Sequence, residues 1–413
     1  MRIRVFNLGC KVNNYEGEEI IRQLLERGHD AAVGLEFAEA YILNTCAVTN
    51  EAERKSRQAI TRLLRINPEA KVYVCGCAAQ YASARFEEIE GVRVVKGVAN
   101  KAGLIDYIEK DTENTVVDIE PLPSVYPVSE GAFAGKTRAS IKICDGCNRF
   151  CSYCIVPYLR GRLRSRPIED ILKEFEKNKD RKEIVITGVD ISSYGADIGE
   201  NLLSLIRVLK AEGVRKRIGS LEASAVTEEL LDEMKADGNW CDHFHLSLQS
   251  GSNDILKKMN RHYTASEFLD KIILIRKYFP DAGLTTDVIV GFPGESDADH
   301  RETLNFVKAA GFSDIHPFIY SKRSGTLAAR MSQIPPEVKK LREKELIRVK
   351  NELKAAFFGK HAGKEAEILI ESKYGYTSNY IKVYPEGTLK PGETAKVVIG
   401  GVFKDGVRGR IIY

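Results

Sequence analysis

The sequence predicts an α/β protein in three parts. Residues 1–115 are expected to form an open parallel sheet of flavodoxin or Rossmann type, residues 136–345 a partial (βα)6 TIM-like barrel, and residues 346–413 a small β-barrel. Three observations predict this. Short β-branched runs alternate with amphipathic segments, the pattern of repeated βα units. A stretch over 116–135, rich in Pro, Gly and small residues and without periodicity, splits the alternation into two series and reads as a linker. After Pro335 a single charged helical segment leads into short strands punctuated by Gly and Pro.

In the first series, strands are expected over 2–9, 40–46, 71–77 and near 92–97, with helices beginning at Glu18 and Glu51 between them. In the second, six strands are expected over 139–144, 183–190, 217–224, 243–250, 283–292 and 314–321. Amphipathic segments such as 168–178 and 266–279 fill the gaps, and right-handed crossovers make the strands parallel. Six units rather than eight leave the barrel open, with its chemistry at the carboxyl ends of the strands. In the third part, strands are expected over 365–372, 376–384 and 393–403.

The cysteines fall at those carboxyl ends. Cys10, Cys46 and Cys77 each lie where a strand gives way to a helix, so three sulfurs from three strands can converge. A free cysteine is often only a small buried hydrophobe. Three at equivalent strand ends favour an iron-sulfur cluster with one iron open. Cys75 competes with Cys77, but it lies within the strand, and Gly76 clears space beside Cys77. In the second part, Cys147, Cys151 and Cys154 are spaced C-x3-C-x2-C directly after the first barrel strand. That is too tight for disulfides and suits three thiolates on one 4Fe-4S cubane, whose fourth iron stays free for a small molecule. With Cys144 the loop also reads as two C-x2-C pairs, a zinc pattern. Zinc pairs are usually about 12 to 20 residues apart, and only three residues separate these.

Arg160, Arg162, Arg164 and Arg166 lie in the acid-free stretch 149–166 just beyond this loop. Such a run is commonly a solvated face, but beside an active-site loop it suits phosphate contacts, so these four are expected to touch RNA. The net charge of +4 is too small for a global field to recruit nucleic acid, which leaves local patches to do so. No apolar segment reaches membrane-spanning length, and nine cysteines without a secretory leader fit metal or redox work in the cytoplasm.

These motifs resemble the radical S-adenosylmethionine (SAM) methylthiotransferases along essentially the whole chain. The resemblance is carried by Leu8-Gly-Cys-Lys-Val-Asn13, Asn44-Thr-Cys46, Gly76-Cys-Ala-Ala-Gln80, the Cys147–Cys154 loop and Leu246-Ser-Leu-Gln-Ser-Gly251. It implies an amino-terminal methylthiotransferase domain, a radical SAM domain, and a carboxy-terminal TRAM domain that binds RNA. It also implies two 4Fe-4S clusters: one at Cys147, Cys151 and Cys154 that cleaves SAM, and one at Cys10, Cys46 and Cys77 that carries the transferred sulfur. The radical formed from SAM would remove hydrogen from C2 of an adenine, a C–H bond too inert for acid–base chemistry. Gly188, Glu222, Gln249 and Asp287, on the strand ends around the loop, are expected to contact SAM, and Tyr153, between the second and third cysteines, is expected either to pack on its adenine or to anchor the loop.

LGCKVN followed by Tyr15-Glu16, with NTCAVTNEA, is similar to the subgroup acting on N6-threonylcarbamoyladenosine beside the tRNA anticodon, position 37. The implied partners are a tRNA anticodon stem-loop, an electron donor of flavodoxin or ferredoxin type, and a sulfur source that the sequence does not name. Alternative readings are a methylthiotransferase for isopentenyladenosine tRNA or a ribosomal protein side chain, and a non-catalytic RNA-binding protein with structural metals.

Overall fold

A computed structural model describes residues 1–127, 129, 131 and 137–412. The amino-terminal unit is one six-stranded sheet, β1 (Arg2–Asn7), β2 (Asp30–Val33), β3 (Ala40–Thr45), β4 (Lys71–Gly76), β5 (Val92–Lys96) and β6 (Val116–Asp118), in the order β2-β1-β3-β4-β5-β6 with every pair parallel. Helix α1 (Lys11–Glu26) and helix α2 (Asn50–Ile66) lie in the first crossovers. β3 is buried at all six positions, as a central strand covered on both faces must be. Two cores result: Ile20, Ile21 and Leu24 of α1 pack on Ile3, Val5 and Ile42, while Ile60 and Leu63 of α2 pack on Leu43, Val72 and Val74. β6 carries this sheet three residues into the stretch expected as linker, so the unit ends beyond residue 115. Of that stretch, residues 128, 130 and 132–135 lie outside those described.

The second unit contains the six expected parallel strands. β7 (Arg138–Asp145), β9 (Glu183–Gly188) and β10 (Arg215–Ile218) form one sheet with the short antiparallel β8 (Arg164–Ser165); β11 (Ser220–Leu221), β12 (His243–Gln249), β13 (Gly283–Val290) and β14 (Asp314–Ile319) form the next. The third strand breaks at Gly219, where a Cβ would meet the Ile186 carbonyl oxygen at 2.9 Å, and there the curved wall divides into two sheets. Helix Pro336–His361 packs along β14 and runs straight into the last unit, so no boundary falls at residue 345.

The last unit is a closed barrel, β15 (Glu365–Ile370), β16 (Gly375–Tyr376), β17 (Lys382–Pro385), β18 (Thr394–Phe403) and β19 (Gly406–Ile411). The expected strand over 376–384 is two strands. Thr377 Oγ1 accepts from Ile381 N at 2.9 Å and Tyr380 takes φ 69°, which makes a tight turn between β16 and β17. This turn plugs the amino-terminal end of the large barrel. Buried Glu183 there gathers Arg138, Arg215 and Arg217, and the latter two also donate to the carbonyl oxygens of Tyr376 (3.2 Å) and Ser378 (3.0 Å).

Candidate active site

Cys10 is the residue before α1, Cys46 follows β3, and Cys77 opens the short helix after β4, so sheet topology delivers all three to one edge. Two glycines allow the close approach. Gly9 (φ 101°) lies against Cys46, where a Cβ would meet its sulfur at 2.8 Å; Gly76 (φ 98°) lies against Thr45, where a Cβ would meet backbone oxygen at 2.7 Å. Cys75 is buried within β4 in the α1-side core, with its sulfur 3.9 Å from Asn44 Oδ1, while Cys77 faces the cavity.

That cavity has a volume of about 600 Å3 and is lined by Cys10, Cys46 and Cys77 on one side and by Thr187, Gly188, Ser220, His245 and Asp287 from the large barrel on the other. The thiols sense one another: burial, then the charges of Cys77 and Cys10, push Cys46 up to about 11. Burial first, with neighbouring charge after it, pushes Cys147 and Cys154 up to about 12. Cys154 feels both Cys151 and Cys77, so the two trios lie within electrostatic reach of each other. As free thiols these groups hold their protons, and a bound metal would take the place of those protons.

Nitrogen donors are aimed at the sulfurs. Arg160 Nε donates to Cys77 Sγ at 3.3 Å, Arg261 Nη1 to Cys151 Sγ at 3.3 Å, and the Arg149 amide to Cys147 Sγ at 3.5 Å. Two trios of soft sulfurs, each reached by at least one N–H donor, fit iron-sulfur clusters with an open iron at each. Cys144 stands apart from these trios, fully buried in the core of the large barrel with its sulfur against Gly188.

The arginine run behaves differently from expectation. Arg160, Arg164 and Arg166 are 2%, 4% and 1% exposed, so they are not free to reach RNA. Arg160 joins the two large units: Nη1 pairs with Glu16 (2.8 Å) and Asp145 (3.0 Å), and Nη2 donates to Asn13 Oδ1 (2.8 Å). Lys101 and Lys142 complete the network on Glu16 at 2.5 and 2.7 Å. Burial alone would raise the Glu16 carboxyl, but Arg160, Lys101 and Lys142 hold it well below the usual range. Arg166 pairs with Glu174, and Arg164 donates to the carbonyl oxygens of Arg160 and Arg162. Burial of arginine is tolerated only with such partners, and no local sequence signal marks acids as distant as Glu16 and Asp145. Arg162 alone of the four is exposed, stacked over Phe150 at 4.4 Å.

The residues expected to contact SAM separate into two groups. Gly188 and Asp287 line the cavity. Glu222 is held by Arg261, which also donates to the Ser247 carbonyl oxygen at 2.8 Å. Gln249 ends β12 at φ 69°. Tyr153 packs against the cluster of Ile255, Met259, Ile289 and Phe292, which fits its reading as an anchor of the cysteine loop.

Two features were not singled out from the sequence. His245 Nε2 lies 3.3 Å and His316 Nδ1 3.1 Å from the Asp287 carboxylate, a triad assembled from β12, β13 and β14 on the barrel interior. Burial would raise the Asp287 carboxyl, but hydrogen bonds from both imidazoles pull it below its ordinary range. On the carboxy-terminal barrel, Lys382, Tyr384, Phe403, exposed Lys404 and exposed Arg408 form a cation–aromatic strip, with Arg408 4.5 Å over Phe403 and Lys404 5.2 Å over Tyr384. Interleaved cations and rings of this kind suit single-stranded RNA.

The chain matches two family profiles, the Radical SAM superfamily over residues 141–307 and Uncharacterized protein family UPF0004 over residues 2–97. It is 40% identical to the threonylcarbamoyladenosine tRNA methylthiotransferase MtaB of Bacillus subtilis, over 92% of this chain and 89% of that protein. It is 37% identical to the protein of that name from Thermotoga maritima, over 98% and 96%. To the tRNA-2-methylthio-N(6)-dimethylallyladenosine synthase of Thermodesulfovibrio yellowstonii it is 32% identical, over 99% and 98%. Among solved structures it resembles, in fold, the radical S-adenosylmethionine methyltransferase TsrM from Kitasatospora setae (TM-score 0.56, 16% identity, 79% of this chain and 76% of that one).

Proposed function

This chain belongs to the radical SAM tRNA methylthiotransferase family, and we propose that its substrate is N6-threonylcarbamoyladenosine at position 37, converted to the 2-methylthio derivative. The observation that carries the reading is the single cavity walled by Cys10, Cys46 and Cys77 on one side and the barrel strand ends on the other. An adenine held there meets both units at once.

Cys147, Cys151 and Cys154 would hold the SAM-cleaving cluster, and Cys10, Cys46 and Cys77 the second. When bound, these groups supply the electron that splits SAM and the sulfur that is transferred. The chain's own residues position and shield them. Arg160 and Arg261 donate to the sulfurs, and the ion pairs of Arg160 hold the amino-terminal unit against the cysteine loop. Gly188 and Asp287, with Thr187 and Ser220, face the space between the cysteine-bearing edge and the barrel, where SAM and the base would meet. A loop nucleotide splayed from its stack can enter such a space, whereas a duplex cannot. The cation–aromatic strip of the last barrel is the surface for the anticodon stem-loop, and a flavodoxin or ferredoxin type donor would supply the electron.

The test is anaerobic reconstitution followed by assay with tRNA carrying threonylcarbamoyladenosine or isopentenyladenosine. About eight irons per chain are expected, as for two cubanes, with methylthio mass gain on the first tRNA only. Cys151→Ala should abolish formation of 5′-deoxyadenosine. Cys46→Ala should keep it and lose product; full product from Cys46→Ala would refute the second cluster, and gain on the isopentenyladenosine tRNA alone would refute the substrate.

A further inference from the structure

Lys11 stands where three cavities share a wall. It is the first residue of α1, next to Cys10, and lines the 600 Å3 cavity of the cysteines. It also lines a space of about 320 Å3 containing His243, His316, Tyr376 and Tyr380, and one of about 510 Å3 beside Arg138 and Arg217. Its side chain is exposed to solvent and borders all three of these spaces.

Every other lysine and arginine on these walls has an acid. Arg138 and Arg217 share Glu183, and Arg160 has Glu16 and Asp145. Lys354 has Asp314 and Lys382 has Asp405, while His245 and His316 flank Asp287. Among the described residues, Lys11 makes no ion pair and no hydrogen bond, and the first turn of α1 contains no acidic side chain. An ammonium left unpaired on walls where every other lysine and arginine has an acid is poised for an anion from outside.

We propose that Lys11 receives the carboxylate of the threonylcarbamoyl group, making it the residue that selects an anionic N6 substituent; this rests on the substrate reading above. In adenine only N1 separates C2 from the carbon bearing N6. A base that turns C2 toward the cysteines must therefore send its N6 substituent along the same wall. Lys11 follows Cys10 in the chain and opens onto the adjoining space, so it lies on that path. The flexible lysine stem, ending in three donors, suits a single carboxylate as a point charge.

The experiment measures binding of the cluster-loaded full-length protein to synthetic anticodon stem-loops. The three probes carry threonylcarbamoyladenosine, its methyl ester, or plain adenosine. Wild-type protein is expected to prefer the free acid over the ester by about tenfold to a hundredfold, the range for a hydrogen bond to a charged group. Lys11→Gln should bind acid and ester alike, and Lys11→Arg should restore part of the preference; iron content reports whether each variant holds its clusters. Equal wild-type affinity for acid and ester overturns the assignment without needing any variant, and so does a Lys11→Gln protein that keeps the preference. Wild-type protein that fails to distinguish the modified loops from plain adenosine, and does not methylthiolate the acid, overturns the substrate reading as well.

Discussion

Arg160 shows how one side chain serves both architecture and chemistry. Its guanidinium reaches Cys77 Sγ, Glu16, Asp145 and Asn13 at once, something only a planar fork with five donors can do. Replacing it with Met leaves two buried carboxylates short of a partner. We expect a loss of about 3 kcal/mol in chemical denaturation of the apoprotein, at the lower end for a broken buried pair because Lys101 and Lys142 remain. Lysine at the same place keeps the charge but cannot span all four partners, so Arg160→Lys should recover only part of that stability. Equal stability of wild type and Arg160→Met would show that the network contributes nothing net.

At the scale of the element, the strand-to-helix turn after β4 decides where Cys77 goes. Gly76 sits at φ 98° against the Thr45 backbone, so Gly76→Ala meets both strain and overlap. The expected cost exceeds about 1 kcal/mol. Iron bound after reconstitution should fall toward that of a single cluster, while 5′-deoxyadenosine formation persists.

Glu183, at the start of β9, is the matching case at the other end of the barrel. Burial would raise its carboxyl, but Arg217 and Arg138 outweigh burial and bring it down to about 2. A carboxyl lowered on folding stabilises above its unfolded value of about 4.5, and that contribution disappears as pH falls toward 2, about 3 kcal/mol in all. In Glu183→Gln the share lost between pH 4.5 and 2 should be absent from the stability profile of the apoprotein. The variant should also loosen the last barrel, because Arg215 and Arg217 hold its β16–β17 turn; limited proteolysis would detect this.

Across the whole molecule, the surface proposed to meet RNA is the strip on the last barrel. Lys404→Glu with Arg408→Glu should weaken tRNA binding several-fold. The slope of log affinity against log salt should fall by about one per lost phosphate contact, with SAM cleavage unaffected. An unchanged slope would move the RNA surface elsewhere. No helix among the described residues is long and apolar enough to cross a membrane.

The sequence alone determined the units, their βα order and the two cysteine trios, because these depend on periodicity and on strand ends, both local properties. It placed Cys10, Cys46 and Cys77 on one edge since parallel topology sends every strand terminus the same way. Only the tertiary structure decided what the charged residues do. Arg160, Arg164 and Arg166 read as an open basic face until Glu16, Asp145 and Glu174 come in from other elements to bury them. Nothing in the sequence around Lys11 marks it as a ligand-binding cation; only folding sets it, unpaired, on the wall of three cavities. The reason is physical: hydrophobic pattern is written along the chain, whereas the partner of a charge, hence its burial and its use, is chosen by long-range packing.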